Sequence, residues 1–256
     1  MGHAAAASEA CAGRDLAPGA LTYREQFSSA SRTGYLADCW MIPFENSLPI
    51  RRLTAFKGQR NFAGLWWCAT NQRHVGFESW CERDNLMLLD FDPDVAGFSS
   101  QPFRMTLPSS LPQGSHVPDY FVRLADGSAA VIDVRPDNRV TPADQDIFHA
   151  TEDLCATVGW AYRRLGGLPA VLLANLRWLS GYRHPRCVRP STAAKLLDRL
   201  AADGPMSIRS LAAATGDPVT ILAPLFHLLW THRIGTDICA RVLHQGTMVW
   251  LNGEAP

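Results

Sequence analysis

Lysine is scarce in this sequence: only two of its 24 lysine and arginine residues are lysines, Lys57 and Lys195. Long apolar runs are missing as well, and no stretch approaches the ~20 apolar residues that a membrane-spanning helix needs. The opening residues 1–15 are small and polar, without the apolar segment of a signal peptide. We therefore expect a protein with no membrane association, in which arginine occupies positions that lysine would otherwise hold.

Cysteine patterns that bind zinc are also missing. The seven cysteines are odd in number, and no two of them have the C-x-x-C spacing. A disulfide framework or a zinc site is therefore not expected, and reduced, mostly buried thiols in a cytoplasm fit better. Hydrophobic residues make up 47% of the 256 residues, which favours a globular chain long enough for two domains.

The formal net charge is zero, but the charges are unevenly distributed. Residues 78–160 contain fourteen acids and five arginines, whereas residues 161–200 contain seven arginines, one lysine and one aspartate. An acidic block beside a basic block suits a metal-dependent enzyme that acts on nucleic acid. The two blocks would equally neutralise each other across a domain interface, and the sequence leaves both explanations open.

A predicted hairpin carries the most informative residues. Asp119 stands just before a strand-like run at 120–124, and Asp133 and Arg135 lie in a second run at 129–135. Side chains two apart on a strand share a face, so Asp133 and Arg135 point together, and the hairpin can bring Asp119 beside them. Two carboxylates with a fixed cation suit a divalent metal and a phosphodiester. A solvated acidic hairpin without chemistry is the alternative.

The surrounding elements predict an α/β domain. A helix begins near Phe77 and ends at Asp92, with Glu78 in its first turn. Extended segments are predicted at 62–70, 74–77, 95–101 and 103–107, a second helix at 141–159 and a strand at 160–165. We expect a mixed sheet flanked by helices over residues 36–182, preceded by a loose tail at 1–35. Glu78 is either a third carboxylate beside the hairpin or an ordinary helix-start acid stabilised by the helix dipole.

The C-terminal part, residues 183–256, has a different pattern. Ser191 and Ser207 are placed to cap two helices, and Asp217-Pro218 opens a third that runs to about Arg233. Two short strands at 237–243 and 247–251 follow. Three helices and a hairpin are typical of a winged helix. The third helix is so apolar that binding protein is as well supported as reading DNA.

Together, these segments resemble the TnsA-like endonuclease subunits of heteromeric transposases, which carry a PD-(D/E)xK nuclease core. The matching strings are Phe77-Glu78-Ser79, Glu82-Arg83-Asp84, Leu88-Leu89-Asp90-Phe91-Asp92, Ser100-Gln101-Pro102, His116-x-Pro118-Asp119-Tyr120 and Asp133-Val134-Arg135-Pro136. The resemblance covers roughly residues 60–165, and the winged-helix-like end agrees with the family's two-domain layout.

The resemblance implies a restriction-endonuclease-like fold and a metal-dependent endonuclease that cuts DNA at the 5′ ends of a mobile element. It implies Mg²⁺, with Mn²⁺ as a substitute, and double-stranded DNA as the substrate. It also implies a DDE-type transposase partner that cuts the 3′ ends and an AAA+ ATPase regulator. Such a protein would be bacterial, cytoplasmic and associated with the nucleoid.

Carried over by position, the resemblance makes Glu78, Asp119 and Asp133 the metal-binding acids. The carbonyl of Val134 is a further candidate ligand. Arg135 stands where the family has its catalytic lysine. Arginine keeps the positive charge but cannot give up its proton, so Arg135 is predicted to neutralise phosphate and not to act as a base.

Basic residues outside this core are predicted to contact DNA phosphates. They are Arg51, Arg52, Arg163, Arg164, Arg183 and Arg186. Three other functions remain open: an inactive nuclease-fold scaffold that binds DNA, a nuclease in defence or repair, and an unrelated sugar- or nucleotide-processing enzyme.

Overall fold

A computed structural model describes residues 16–28, 30–51 and 62–253. The α-helices are α1 (Leu36–Cys39), α2 (Trp80–Phe91), α3 (Pro142–Ala156), α4 (Ala170–Ser180), α5 (Pro190–Asp203), α6 (Ile208–Thr215) and α7 (Pro218–Trp230). The strands are β1 (Ala20–Arg24), β2 (Ser31–Tyr35), β3 (Gly64–Cys68), β4 (Arg73–Phe77), β5 (Val95–Ser100), β6 (Phe103–Thr106), β7 (Ser115–His116), β8 (Tyr120–Leu124), β9 (Ala129–Val134), β10 (Ala161–Leu165), β11 (Met206–Ser207), β12 (Ile234–Gly235) and β13 (Met248–Leu251).

The described residues form a mixed α/β protein with four sheets and seven α-helices, which confirms the predicted α/β class. No helix among them is long and apolar enough to cross a membrane. The predicted hairpin is also confirmed, because β8 and β9 pair antiparallel across the turn that contains Gly127, whose φ is 86°. A positive φ at this position suits glycine, which has no Cβ to clash.

The central sheet has the strand order β10-β9-β8-β5. β8 is antiparallel to both of its neighbours, while β10 runs parallel to β9. Every residue of β9 is buried. Ala130 and Ile132 share a core with Leu86 of α2, whereas Val131 shares another core with Cys155 of α3. Helices therefore cover both faces, which explains why β9 is apolar almost throughout.

A second sheet, of order β2-β1-β6-β7, corrects the prediction of a loose tail at 1–35. β1 pairs with both β2 and β6, and its side chains Leu21 and Tyr23 are buried in the core beneath it. Leu21 and Tyr23 are two apart, which is the alternation of a half-buried strand. The part of the predicted tail at 1–15 lies outside the described residues.

Side-chain caps determine where the helices of the central unit begin. The Ser79 hydroxyl accepts a hydrogen bond from the Glu82 backbone N–H at 3.2 Å, so α2 begins at Trp80. Glu78 therefore precedes the helix, and the predicted start near Phe77 is three residues early. Helix α3 opens with Pro142 behind a capping box between Thr141 and Asp144, close to its predicted start.

The C-terminal unit contains α5, α6 and α7 with a small sheet of order β11-β13-β12. The Ser207 and Asp217 caps are confirmed, whereas α5 begins at Pro190, before the predicted cap Ser191. The predicted strand at 237–243 is wrong, because β12 at 234–235 pairs with β13 instead.

Buried Asn175 on α4 explains why residues 238–243 form no strand. Its amide nitrogen donates to the carbonyls of Ile238 and Arg241 at 2.9 and 2.8 Å, and its Oδ1 accepts from the Leu243 N–H at 2.8 Å. Backbone groups that a strand would pair in a ladder are thus paired with one side chain.

Helix α4, which the sequence did not predict, joins the two parts of the chain. It packs against both α2 and α7, and its Leu179 lies in the core of the C-terminal unit. The predicted boundary between residues 182 and 183 therefore follows a helix that already contributes to the C-terminal core.

We expect Asn175→Ala to lower the free energy of unfolding by about 2–3 kcal/mol, because each buried group left without a partner costs roughly 1–3 kcal/mol. Urea unfolding monitored by circular dichroism measures the change. Asn138→Ala is the control, since Asn138 is exposed and such substitutions stay within about 0.5 kcal/mol. Equal effects for the two variants would show that Asn175 does not order this segment.

Candidate active site

The hairpin brings Asp119 and Asp133 together at one end of the central sheet. Tyr120 of β8 faces Ile132 of β9, so the next pair along the antiparallel register is Asp119 opposite Asp133. Each carboxylate lies at a strand end, with Asp119 before β8 begins and Asp133 one residue before β9 ends. The predicted meeting of these two acids is therefore supported by the register.

Asp119 has little positive compensation. It is half-buried, and its Oδ2 accepts a hydrogen bond from the Val134 N–H at 2.7 Å. Loss of solvent raises the pKa of Asp119 well above its ordinary value, and the charges of Asp133, Glu82 and Glu78 raise it further, while the Val134 hydrogen bond lowers it.

Asp133, in contrast, is buried and well hydrogen-bonded. His116 Nε2 lies 3.0 and 2.9 Å from its two carboxylate oxygens, and the Tyr162 hydroxyl donates to Oδ2 at 2.8 Å. Burial and the neighbouring Asp133 charge raise the pKa of Tyr162, so its hydroxyl remains a donor. His116 comes from β7 and Tyr162 from β10, so Asp133 is held from two different sheets.

Glu78 lies at the same end of the sheet but is paired with Arg51. The distance from Arg51 NH2 to Glu78 Oε2 is 2.7 Å. Glu82 accepts from the Glu78 backbone N–H at 2.7 Å and from the Ser79 hydroxyl at 2.8 Å. Of the two glutamates, Glu82 has the larger effect on the pKa of Asp119. The sequence predicted Glu78 as the third carboxylate beside the hairpin. The larger electrostatic effect on Asp119 comes instead from Glu82, four residues later.

Arg135 is exposed, and its side-chain hydrogen bonds within the described residues go to Asp144. The distances from Arg135 NH2 to the two carboxylate oxygens are 3.1 and 3.0 Å. Asp144 also caps α3 through Thr141, so Arg135 is bound at the start of that helix. The predicted grouping of Arg135 with Asp133 is thus not made in this structure, and its catalytic role stays a prediction.

The predicted DNA-binding arginines have different surroundings. Arg163 and Arg186 are exposed, and Arg51 is committed to Glu78. Arg164 donates to Asp137 at 2.7 Å and to a backbone carbonyl. Arg52 lies outside the described residues.

Arg183 is used inside the protein. Its Nε donates to the Trp67 carbonyl at 2.8 Å, and its guanidinium lies 3.9 Å from the centre of the Trp66 ring. A cation held over an indole in this way joins the β3–β4 hairpin to the end of α4. These contacts argue against the phosphate contact predicted for Arg183.

Gln101 is a site residue to which the sequence gave no role. Its φ is 48°, its side chain is buried, and Oε1 has no hydrogen-bond partner among the described residues. Its backbone N–H donates to the Asp119 carbonyl at 2.8 Å, and its own carbonyl accepts from the Ile50 N–H at 2.9 Å. Gln101 therefore connects Asp119 to the segment that carries Arg51. The available signal was the Ser100-Gln101-Pro102 string.

The donor chemistry of the site suits Mg²⁺. No group of three or more His, Cys, Asp or Glu side chains in the described part of the chain is arranged to hold a metal ion. Mg²⁺, however, usually keeps several waters and binds proteins through one or two carboxylates. The facing pair of Asp119 and Asp133, with its excess negative charge, fits that requirement.

Fold and site together define a mixed α/β protein with carboxylates clustered at the ends of two paired strands. Searched against known protein families, the chain matches none, and no curated protein matches it either.

We expect Asp119→Asn to raise the melting temperature of the metal-free protein at about pH 8 by at least about 2 °C, the shift that roughly 1 kcal/mol produces in a chain of this size. The pKa of Asp119 is raised in the folded state. Its ionised form therefore destabilises the fold above that pKa, and the penalty disappears as the pH falls toward the ordinary value of about 3.9.

Melting curves in EDTA between about pH 4.5 and pH 8 test this expectation. The difference between variant and wild type should be largest at the alkaline end and should close toward acid. Asp126→Asn is the matched control, because Asp126 is exposed and hydrogen bonds from Ser128 lower its pKa. An Asp119→Asn protein that melts lower than wild type at pH 8 would show that the charge is compensated.

Proposed function

We propose that this protein is a metal-dependent DNA endonuclease subunit of a heteromeric transposase, which cuts phosphodiester bonds at the 5′ ends of a mobile element. One observation carries the proposal: Asp119 and Asp133 face each other at paired strand ends, with more negative charge than the surroundings neutralise. These are the positions of the metal-binding acids in the TnsA-like family that the sequence resembles.

The topology supports the same proposal. β8 and β9 form an antiparallel hairpin, β10 lies parallel to β9, and α2 and α3 contribute to the cores on the two faces of the sheet. This arrangement is compatible with a restriction-endonuclease-like domain. The chain order α5, β11, α6, α7, β12, β13 supports a winged-helix-like domain after it.

In this proposal Asp119 and Asp133, with the Val134 carbonyl, hold Mg²⁺ or Mn²⁺. The bound ion would lower the pKa of a water and offset charge on the phosphate. His116 and Tyr162 fix the orientation of the Asp133 carboxylate, as residues behind a ligand commonly do. Arg51 balances the charge of Glu78.

DNA binding by the isolated chain is expected to be weak and to have little sequence preference. Arg163 and Arg186 offer exposed charges for phosphates. Helix α7 is buried along most of its length, and its most exposed large apolar residue is Val219, which leaves little for reading bases. A DDE-type transposase partner would then supply the target site, and an AAA+ regulator would control assembly.

A second candidate is a nuclease-derived subunit that binds DNA or partners without cutting. The observation that favours it is that the Arg135 guanidinium pairs with Asp144, and not with Asp119 or Asp133, within the described residues. A nuclease in defence or repair would use the same residues as the transposase subunit. A DDE transposase gene next to this one distinguishes transposition from those roles.

The first test is nicking of supercoiled plasmid by the full-length chain in Mg²⁺ or Mn²⁺, with EDTA as the blank. Asp119→Asn and Asp133→Asn are expected to slow nicking by at least about 100-fold, because a lost ligand removes several kcal/mol of charge stabilisation. Asp126→Asn, in the exposed hairpin turn, should nick like wild type. Metal-independent binding without any nicking would favour the second candidate.

A separate test concerns Arg135. Arg135→Ala should abolish nicking, because the positive charge at the position of the family's lysine is lost, while Arg135→Lys should keep or raise the rate. Arg104→Ala is the control, since Arg104 is an exposed arginine on β6. Full activity of Arg135→Ala would mean that the guanidinium pairs with Asp144 and has no part in cleavage.

A further inference from the structure

Two exposed aromatic rings form a stack at the start of α2. The rings of Phe62 and Trp80 lie 4.3 Å apart and nearly parallel, with 14° between their planes. Phe62 is 56% exposed and Trp80 48% exposed, so the stack is open to solvent. Large aromatic side chains usually lose most of their surface on folding, and an open stack of this kind is a candidate contact surface.

Two arginines lie on the Trp80 side of this stack. The guanidinium of Arg83 lies 4.2 Å from the centre of the Trp80 ring. Arg83 and Arg177 share one carboxylate, that of Asp84, at 2.7 and 2.9 Å. Two guanidiniums with one carboxylate leave positive charge in excess. A groove of about 670 Å³ runs along them, lined by Trp66, Trp80, Arg83, Met87, Arg177 and Ser180.

The stack is close to the candidate active site along the chain. Trp80 is two residues from Glu78 and two residues from Glu82. Side chains two apart on a helix do not face each other, so Trp80 and Glu82 lie on different sides of α2. The stack therefore offers a contact surface on a different side of α2 from Glu82.

Stacked rings with an excess of guanidinium charge suit one occupant in particular, a nucleic-acid strand with an unpaired base. Bases stack on aromatic side chains in a sequence-tolerant way, and guanidiniums bind the phosphates that connect them. Within a duplex each base is already stacked on its neighbours, so a base must leave the helix to reach a protein ring. An apolar peptide would instead leave the charges of Arg83 and Arg177 without compensation.

We propose that the Phe62–Trp80 stack binds an unpaired base of a DNA strand. This inference concerns binding and does not rest on the proposed endonuclease function, because stacking needs neither metal nor chemistry.

Fluorescence anisotropy in EDTA tests the proposal with the full-length chain and three labelled DNAs: a single strand, a blunt duplex and a forked duplex. Wild type should bind the fork more tightly than the blunt duplex. Phe62→Leu and Trp80→Leu should weaken binding to the fork and single strand by roughly tenfold, while binding to the blunt duplex is unchanged. Trp80→Phe retains a ring and should recover most of the fork affinity.

Phe27→Leu is the matched control, because Phe27 is 95% exposed between β1 and β2, and it should bind all three DNAs like wild type. Leucine variants that bind all DNAs like wild type, or lose affinity equally for fork and blunt duplex, would overturn the inference.

Two further outcomes separate this inference from the proposed function. If the Asp119→Asn variant keeps its preference for the fork but does not nick, both the endonuclease function and the role of the stack are supported. Fork preference in a wild-type chain that never nicks with either metal would overturn only the endonuclease, whereas nicking without fork preference would overturn only the role of the stack.

Discussion

Repulsion between two carboxylates at facing strand ends is the constraint on which the rest of the site depends. The register of the hairpin places Asp119 opposite Asp133. Among the described residues, no lysine or arginine side chain hydrogen-bonds both carboxylates. Each neighbouring contact reduces this repulsion in part. The Val134 N–H donates a hydrogen bond to Asp119, and His116 and Tyr162 hydrogen-bond to Asp133. Arg51 forms an ion pair with Glu78. The negative charge that these contacts leave is the basis for the metal site that we propose.

The elements around the pair have a second function, which is to keep its atoms in place. Asp133 belongs to a strand that is buried on both faces, so its backbone has little freedom. Gln101 adds a link from Asp119 to Ile50, with a left-handed backbone and a buried oxygen that has no hydrogen-bond partner among the described residues. Local strain that persists because its surroundings fix it is common where a protein holds functional groups.

Local pattern was sufficient to predict most elements, and contacts between residues far apart in the chain account for part of what it missed. Alternation and turn chemistry predicted β8 and β9, and capping residues predicted α3 and α6. The Arg51–Glu78 pair joins residues 27 apart and has no local signal. The prediction oriented the Arg135 side chain from strand alternation alone, which pointed it toward Asp133, and so it missed the pair with Asp144. Strand β12 was misplaced because Asn175, 63 residues before Ile238, satisfies the backbone there. The resemblance to the TnsA-like family stays a prediction.

The hydrogen bond between His116 and Asp133 has a mechanical consequence. His116 belongs to the sheet built on β1, while Asp133 belongs to the central sheet. Sliding one sheet over the other would break this hydrogen bond and leave the buried Asp133 carboxylate, among the described residues, with the hydrogen bond from Tyr162. The two sheets are therefore coupled by this hydrogen bond as well as by the apolar core that they share. Movement of one sheet against the other is opposed both by apolar packing and by a polar contact at the site itself.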